Sequence, residues 1–145
     1  AAFGVPGLAI SLEMSIPDHL TGGAAKDYSA AQAFTAYFAQ RMLNSTLPYD
    51  VDVLNVNIPQ SATVATPWRL TRLSRRRYFL PLNPDRVNGH GRPGYTVMPD
   101  PAEAERDSDI WTLRVAQKVS VTPISMDLTS RNDFGALEEQ LRADW

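Results

Sequence analysis

No cysteine occurs in these 145 residues. That excludes disulfide staples, thiol nucleophiles and cysteine-held zinc, and it is compatible with a reducing compartment. Histidine is nearly as scarce: His19 and His90 stand far apart, each in a loop punctuated by proline and glycine. Neither has further ligands at metal spacing, so both read as surface residues. A basic excess is missing too. Lys and Arg number 14 against 16 Asp and Glu, a net charge of −2, whereas a general nucleic-acid binder carries surplus base. No apolar run approaches the roughly 20 residues of a membrane span, and no signal-peptide pattern opens the chain. The sequence reads as cytoplasmic, with neither nucleic acid nor membrane as partner.

An initiator methionine is also lacking, and the chain enters Val5-Pro-Gly-Leu-Ala-Ile-Ser-Leu12 almost at once. A continuous apolar run of this kind belongs to a strand covered on both faces. A central strand so near the start is expected of a fragment. What is present is otherwise ordinary: 43% hydrophobic and 21% charged residues, enough for one domain with a real core.

After a polar loop containing Gly22-Gly23, Asp27 is placed to cap a helix over Tyr28 to Leu43. Ala31, Phe34, Phe38 and Met42 recur at spacings of three and four and form its apolar stripe. Val51 to Ile58 reads as a strand closed by Pro59. Strand, helix, strand with short links implies a parallel pair joined by a right-handed crossover. Trp68 to Leu73 alternates as another strand and runs into Ser74-Arg-Arg-Arg-Tyr78. Proline and glycine between Leu80 and Pro101 exclude a buried helix or central strand there. Tyr95 to Met98 is expected to pair with the arginine-rich strand as a long hairpin.

The stretch Asp107 to Thr129 is the expected organiser of the second half. Trp111, Leu113 and Val115 alternate with Thr112 and Arg114, which predicts a half-buried strand. Val119 to Val121 predicts a second, closed or edged by Pro123, which has no ladder donor. Ile124, Met126 and Leu128 alternate in a third extended run. A final helix from Asn132 or Asp133 carries Phe134, Leu137, Leu141 and Trp145 as a stripe that must dock on this chain or on a partner.

Several groups have the chemistry of a site. Glu103, Glu105, Asp107 and Asp109 alternate, but Ile110 stands where a calcium loop needs glycine, so a solvated acidic linker is expected. Arg72, Arg75, Arg76 and Arg77 suit a phosphate or a partner's carboxylates; such charges also keep an exposed hairpin from pairing with stray strands. Ser11 falls at the carboxyl end of the first strand, where open α/β sheets place ligands. It has no Gly-x-Ser-x-Gly elbow around it and no histidine near it. Gly22-Gly23 lacks the phosphate-loop pattern. No complete catalytic constellation is present.

Five pieces together resemble the SurE family of metal-dependent 5′/3′-nucleotidases. They are Gly4 to Leu12, Asp27-Tyr-Ser-Ala-Ala31, Leu54-Asn-Val-Asn-Ile-Pro59, Thr71-Arg-Leu-Ser-Arg-Arg-Arg-Tyr78, and the organising stretch with Asp107-Ser-Asp-Ile-Trp111, Val119-Ser-Val-Thr-Pro123 and Met126-Asp-Leu-Thr129. The family's paired Asp-Asp-Gly, and the serine and asparagine that complete its metal site, do not occur here. The resemblance therefore implies no catalytic residue and no metal ligand in this chain. It implies the later part of a Rossmann-like three-layer α/β sheet, with a protruding hairpin and a C-terminal helix. Residues 1–59 would belong to the nucleotidase core, and residues 60–145 to the hairpin, irregular and oligomerisation region. In the parent it implies hydrolysis of nucleoside 5′/3′-monophosphates or other phosphate esters with Mg²⁺ or Mn²⁺, whose hard charge polarises phosphoryl oxygens. The chain alone is expected to be inactive; the alternative is an oligomerisation module without catalysis. The hairpin and final helix are expected to form a homodimer or homotetramer. Ser11, Ser120 and Thr122 are the expected substrate-side residues.

Overall fold

The computed structural model describes residues 4–15, 17–18, 26–83 and 94–142. His19, Gly22-Gly23, His90 and Trp145 lie outside them. Strand β1 (Gly7–Leu12) pairs in parallel with β2 (Val53–Ile58), and helix α1 (Ser29–Asn44) connects the two. The Asp27 carboxylate accepts from the Ser29 amide at 2.8 Å, so it serves the start of α1 from one residue outside the cap position.

The sheet continues with β6 (Val119–Ile124), antiparallel to β2, and β3 (Trp68–Leu70), parallel to β6, in the order β1-β2-β6-β3. The sheet therefore draws strands from both sides of Pro59. Its two faces differ in kind. Leu8, Ile10 and Leu12 on β1 share one face with Val56 and Ile58 on β2 and with Val119 and Val121 on β6. Helix α1 seats Ala30, Phe34 and Phe38 on that face, where Phe38 also meets the Trp68 ring edge-on at 5.5 Å. Ser11, Asn57 and Ser120 lie in register across the other face.

Among the described residues β1 stands at the end of the sheet order beside β2, and its odd positions Ala9 and Ser11 are exposed. Leu8, Ile10 and Leu12 supply the apolar character of the run on the α1 face, and the small residues Gly7, Ala9 and Ser11 occupy the other.

Trp111, Leu113 and Val115 do not form a strand. Helix α2 (Asp109–Arg114) occupies their place. The Ser108 hydroxyl accepts from the Trp111 amide at 3.2 Å and Asp109 opens the first turn, which is how a short helix satisfies its unpaired amides. Gln117 ends it in the left-handed region at φ 51° and donates its side-chain amide to the carbonyls of Leu113 and Arg114 at 3.0 and 3.2 Å. Helix α2 packs against β6 and β2 and takes no part in the α1 cluster, so it covers the second face and completes three layers.

Pro123 is the penultimate residue of β6. Val119 and Val121 turn their backbone groups toward β3, and β3 stops opposite Val121, so the missing donor at Pro123 faces no partner. The third extended run is absent. Met126 and Leu128 follow β6 in irregular, exposed chain.

The hairpin exists, with a shifted partner. β4 (Phe79–Leu82) pairs antiparallel with β5 (Gly94–Val97), and the Met98 amide donates to the Tyr78 carbonyl at 2.8 Å. The arginine-rich stretch is the bend before β4. Helix α3 (Phe134–Arg142) begins where Asp133 accepts from the Gly135 and Ala136 amides at 2.9 and 3.2 Å. Its Phe134, Leu137 and Leu141 remain exposed, so the stripe does not dock on the described body of this chain.

Candidate functional site

A cleft of about 670 Å³ opens at the carboxyl ends of β1 and β2. Its floor is Ser11 and Asn57, neighbours in register on the polar face. Open α/β sheets place ligands here because the loops after parallel strands diverge. The hairpin supplies one wall through Tyr78, Phe79 and Tyr95, and α2 supplies the opposite one through Asp109, Ile110 and Leu113. Tyr78 meets Phe79 edge-on at 4.8 Å, and Phe79 meets Tyr95 edge-on at 5.2 Å. Burial, with a smaller push from Tyr95, raises the Tyr78 phenol, so it stays protonated and able to donate.

Several charged side chains around the cleft have partners among the described residues, while Arg114 Nε is buried without one. Arg114 pairs with Glu13, whose other oxygen accepts from the Gln60 amide at 3.1 Å. Arg76 reaches Glu103 at 3.2 Å and Arg72 reaches Asp107 at 2.7 Å. Between those pairs, the Ser74 hydroxyl donates to Glu105 at 2.6 Å and the Ser74 amide to Asp109 at 2.9 Å. The Ser74 hydrogen bond is the main reason the Glu105 carboxyl sits below the ordinary glutamate range.

The acidic segment is thus not a free linker. Asp107 and Glu103 pair with Arg72 and Arg76, and Glu105 accepts from the Ser74 hydroxyl and from the Arg75 amide at 3.3 Å. Alternation of Glu103, Glu105 and Asp107 carried that signal. Its target, 27 to 35 residues earlier, did not show in the sequence.

The three expected substrate-side residues separate. Ser11 lines the cleft. Ser120 and Thr122 are buried and share the Thr71 hydroxyl, at 2.9 and 2.7 Å, within the sheet. Asn57, Glu13 and Arg114 were missed. Asn57 was within reach, since it ends the second parallel strand as Ser11 ends the first. The Glu13–Arg114 pair spans 101 residues and left no local trace.

A divalent metal does not fit the described residues. No group of three or more His, Cys, Asp or Glu among them is arranged to hold one, and the acidic side chains nearest the cleft are engaged by Ser74 and the arginines.

A mixed α/β sheet with a cleft at its carboxyl edge and an attached hairpin defines a class of ligand-binding α/β proteins. The family model described as Survival protein SurE matches residues 1–79, more than half of the chain. The 5′-nucleotidase SurE of Thermococcus kodakarensis is 39% identical over 140 residues, covering 96% of this chain and 54% of its own length. That of Thermococcus gammatolerans is 39% identical over 139 residues, covering 95% and 52%. The crystal structure of the SurE protein from Aquifex aeolicus superposes with a TM-score of 0.62 at 23% identity, over 97% of this chain and 53% of that one, which speaks for the fold. The chain belongs to the SurE family, and it spans about half the length of the curated relatives it matches.

Proposed function

We propose that this chain is the C-terminal portion of a nucleotidase that hydrolyses nucleoside 5′- and 3′-monophosphates, or other phosphate esters, to the alcohol and phosphate. The similarity to proteins named 5′-nucleotidase SurE, running over nearly the whole chain, carries the reading. Residues 1–59 would supply part of the catalytic core, with Ser11 on the substrate side, and residues 60–145 the hairpin and association region. Ser120 and Thr122 would act behind the site, through Thr71 and the sheet. The Mg²⁺ or Mn²⁺ implied by the family would take its ligands from outside the described residues, and the chain alone would be inactive. A cytoplasmic setting accords with a cysteine-free sequence and with the absence, among the described residues, of a helix able to cross a membrane.

The test is Mn²⁺-dependent phosphate release from a nucleoside 5′-monophosphate, run with an intact-mass measurement. The 16.1 kDa chain should release none, whereas the same sequence completed by the N-terminal half of a family relative should turn over. Failure of the completed chain would sink the nucleotidase reading. Release at 16.1 kDa would sink the assignment of the metal site elsewhere.

A second reading is favoured by one observation: Phe134, Leu137 and Leu141 stand exposed along α3. On it, the chain's own activity is association into a homodimer or homotetramer through α3 and the hairpin.

A further inference from the structure

We infer that Glu13 is a positioning residue, whose carboxylate holds the α2 wall at a set distance from the Ser11–Asn57 floor and so fixes the width of the cleft. The inference rests on the nucleotidase reading only for what the cleft binds.

Three segments meet at the carboxyl edge of the sheet, and Glu13 joins all of them. It directly follows β1, and its amide donates to the carbonyl of Ile58, the last residue of β2, at 2.8 Å. One carboxylate oxygen accepts from the Gln60 amide at 3.1 Å, in the turn beyond β2. The other pairs with Arg114, the last residue of α2. The Glu13 side chain is only 14% exposed, so water competes little for these bonds.

That end of α2 has few other anchors. The apolar anchors of the helix are Ile110 and Trp111 in its first turn, packed with Met98, Ala104 and Tyr78 at the root of the hairpin. Leu113 and Arg114 line the cleft instead, across from Ser11 and Asn57. Arg114 Nε is buried without a partner, so Glu13 is what orients the guanidinium among the described residues. Gln117 supplies a second tie. Held at φ 51°, it donates its side-chain amide to the Leu113 and Arg114 carbonyls and accepts from the Ser61 hydroxyl at 3.0 Å. Ser61 and Gln117 are exposed and uncharged, whereas the Glu13 bonds are covered and charge-assisted, which makes them the stronger. The carboxylate decides the distance.

Amide hydrogen exchange of the 145-residue chain tests this. Glu13→Gln keeps the shape and an acceptor for Gln60 but removes the charge. The Val115 and Ala116 amides close the end of α2 on the Trp111 carbonyl, at 2.9 and 3.0 Å. They should exchange at least about tenfold faster in the variant, while the Leu54 and Val56 amides of β2 keep their rates. Arg114→Met should act alike, and the double variant should exchange no faster than either single one. Equal acceleration at Leu54 and Val56 would make Glu13 a general stabiliser. That result, unchanged rates at Val115 and Ala116, or additive effects in the double variant would each overturn the inference.

The chain completed by the N-terminal half of a family relative separates this role from the nucleotidase reading. There Glu13→Gln should raise KM for the nucleoside 5′-monophosphate about tenfold, because fewer molecules present the wall at binding distance. A smaller folded fraction would instead lower kcat and leave KM alone. An unchanged KM overturns the positioning role even where turnover stands. A completed chain that releases no phosphate sinks the nucleotidase reading, and the exchange rates then decide the role of Glu13 by themselves.

Discussion

The Ser74 hydroxyl donates to Glu105 Oε2 at 2.6 Å, tying the bend before the hairpin to a carboxylate 31 residues further on. Arg72–Asp107 and Arg76–Glu103 flank it, so three contacts clamp one segment to the other at the root of the cleft's aromatic wall. Exposed pairs of this kind each contribute little, and the network derives its worth from sharing one geometry.

Glu105 gives the clamp a pH dependence of known sign. Its folded pKa lies below the unfolded one, chiefly because Ser74 donates to the ionised form. Its stabilisation is therefore complete above the ordinary glutamate value, about 4.3, and is lost as pH falls through the lower folded value. Ser74→Ala should lower the urea midpoint at pH 7 and change it much less near pH 3. An equal loss at both values would mean that Ser74 acts without the Glu105 charge.

Thr71 hydrogen-bonds to both Ser120 and Thr122, and all three are buried. Thr71→Val keeps the shape and removes the shared partner, leaving two buried hydroxyls short of a bond. The expected cost is about 1–3 kcal/mol in equilibrium unfolding. Ser120→Ala added to that background should cost less than Ser120→Ala alone, because the bond it would break is already gone. Strict additivity would show that the network is not coupled.

The core makes a sharper contrast. Phe38 is 5% exposed and touches Phe34, Tyr37 and Trp68. Phe38→Ala should cost about 3–5 kcal/mol. Tyr49, 96% exposed, should tolerate Tyr49→Ala within about 0.5 kcal/mol. Denaturant titration of both variants decides whether α1 is held on the sheet by this aromatic cluster.

These elements differ in how far the sequence displays them. Helix α1, β1, β2 and the start of α3 are legible because their apolar period runs long enough and Asp27 and Asp133 mark the starts. Helix α2 is not, because six residues fit a period of two as well as a helical turn. Asp107-Ser-Asp109 before Ile110 was the available signal, a cap residue with an acid in the first turn. Alternation at Ile124, Met126 and Leu128 predicted a strand with no neighbour to pair with. The polar face of the sheet follows once the register is known, as Ser11–Asn57–Ser120, and register is a long-range property. The clamp and the Glu13–Arg114 pair join residues 27 to 101 positions apart, beyond any local pattern.

Helix α3 exposes Phe134, Leu137 and Leu141 on one face, Leu141 at 69%. Such a face in water is stabilised by burial against another surface, and a second copy of the chain offers the same stripe in return. The chain should elute from a sizing column as a dimer or tetramer. Leu141→Asp places a charge within the stripe and should release monomers. Glu138→Ala, which removes only the surface pair with Arg142 at 2.7 Å, should leave the assembly as it was. An unchanged elution of Leu141→Asp would remove α3 from the interface and leave the hairpin as the remaining candidate for association.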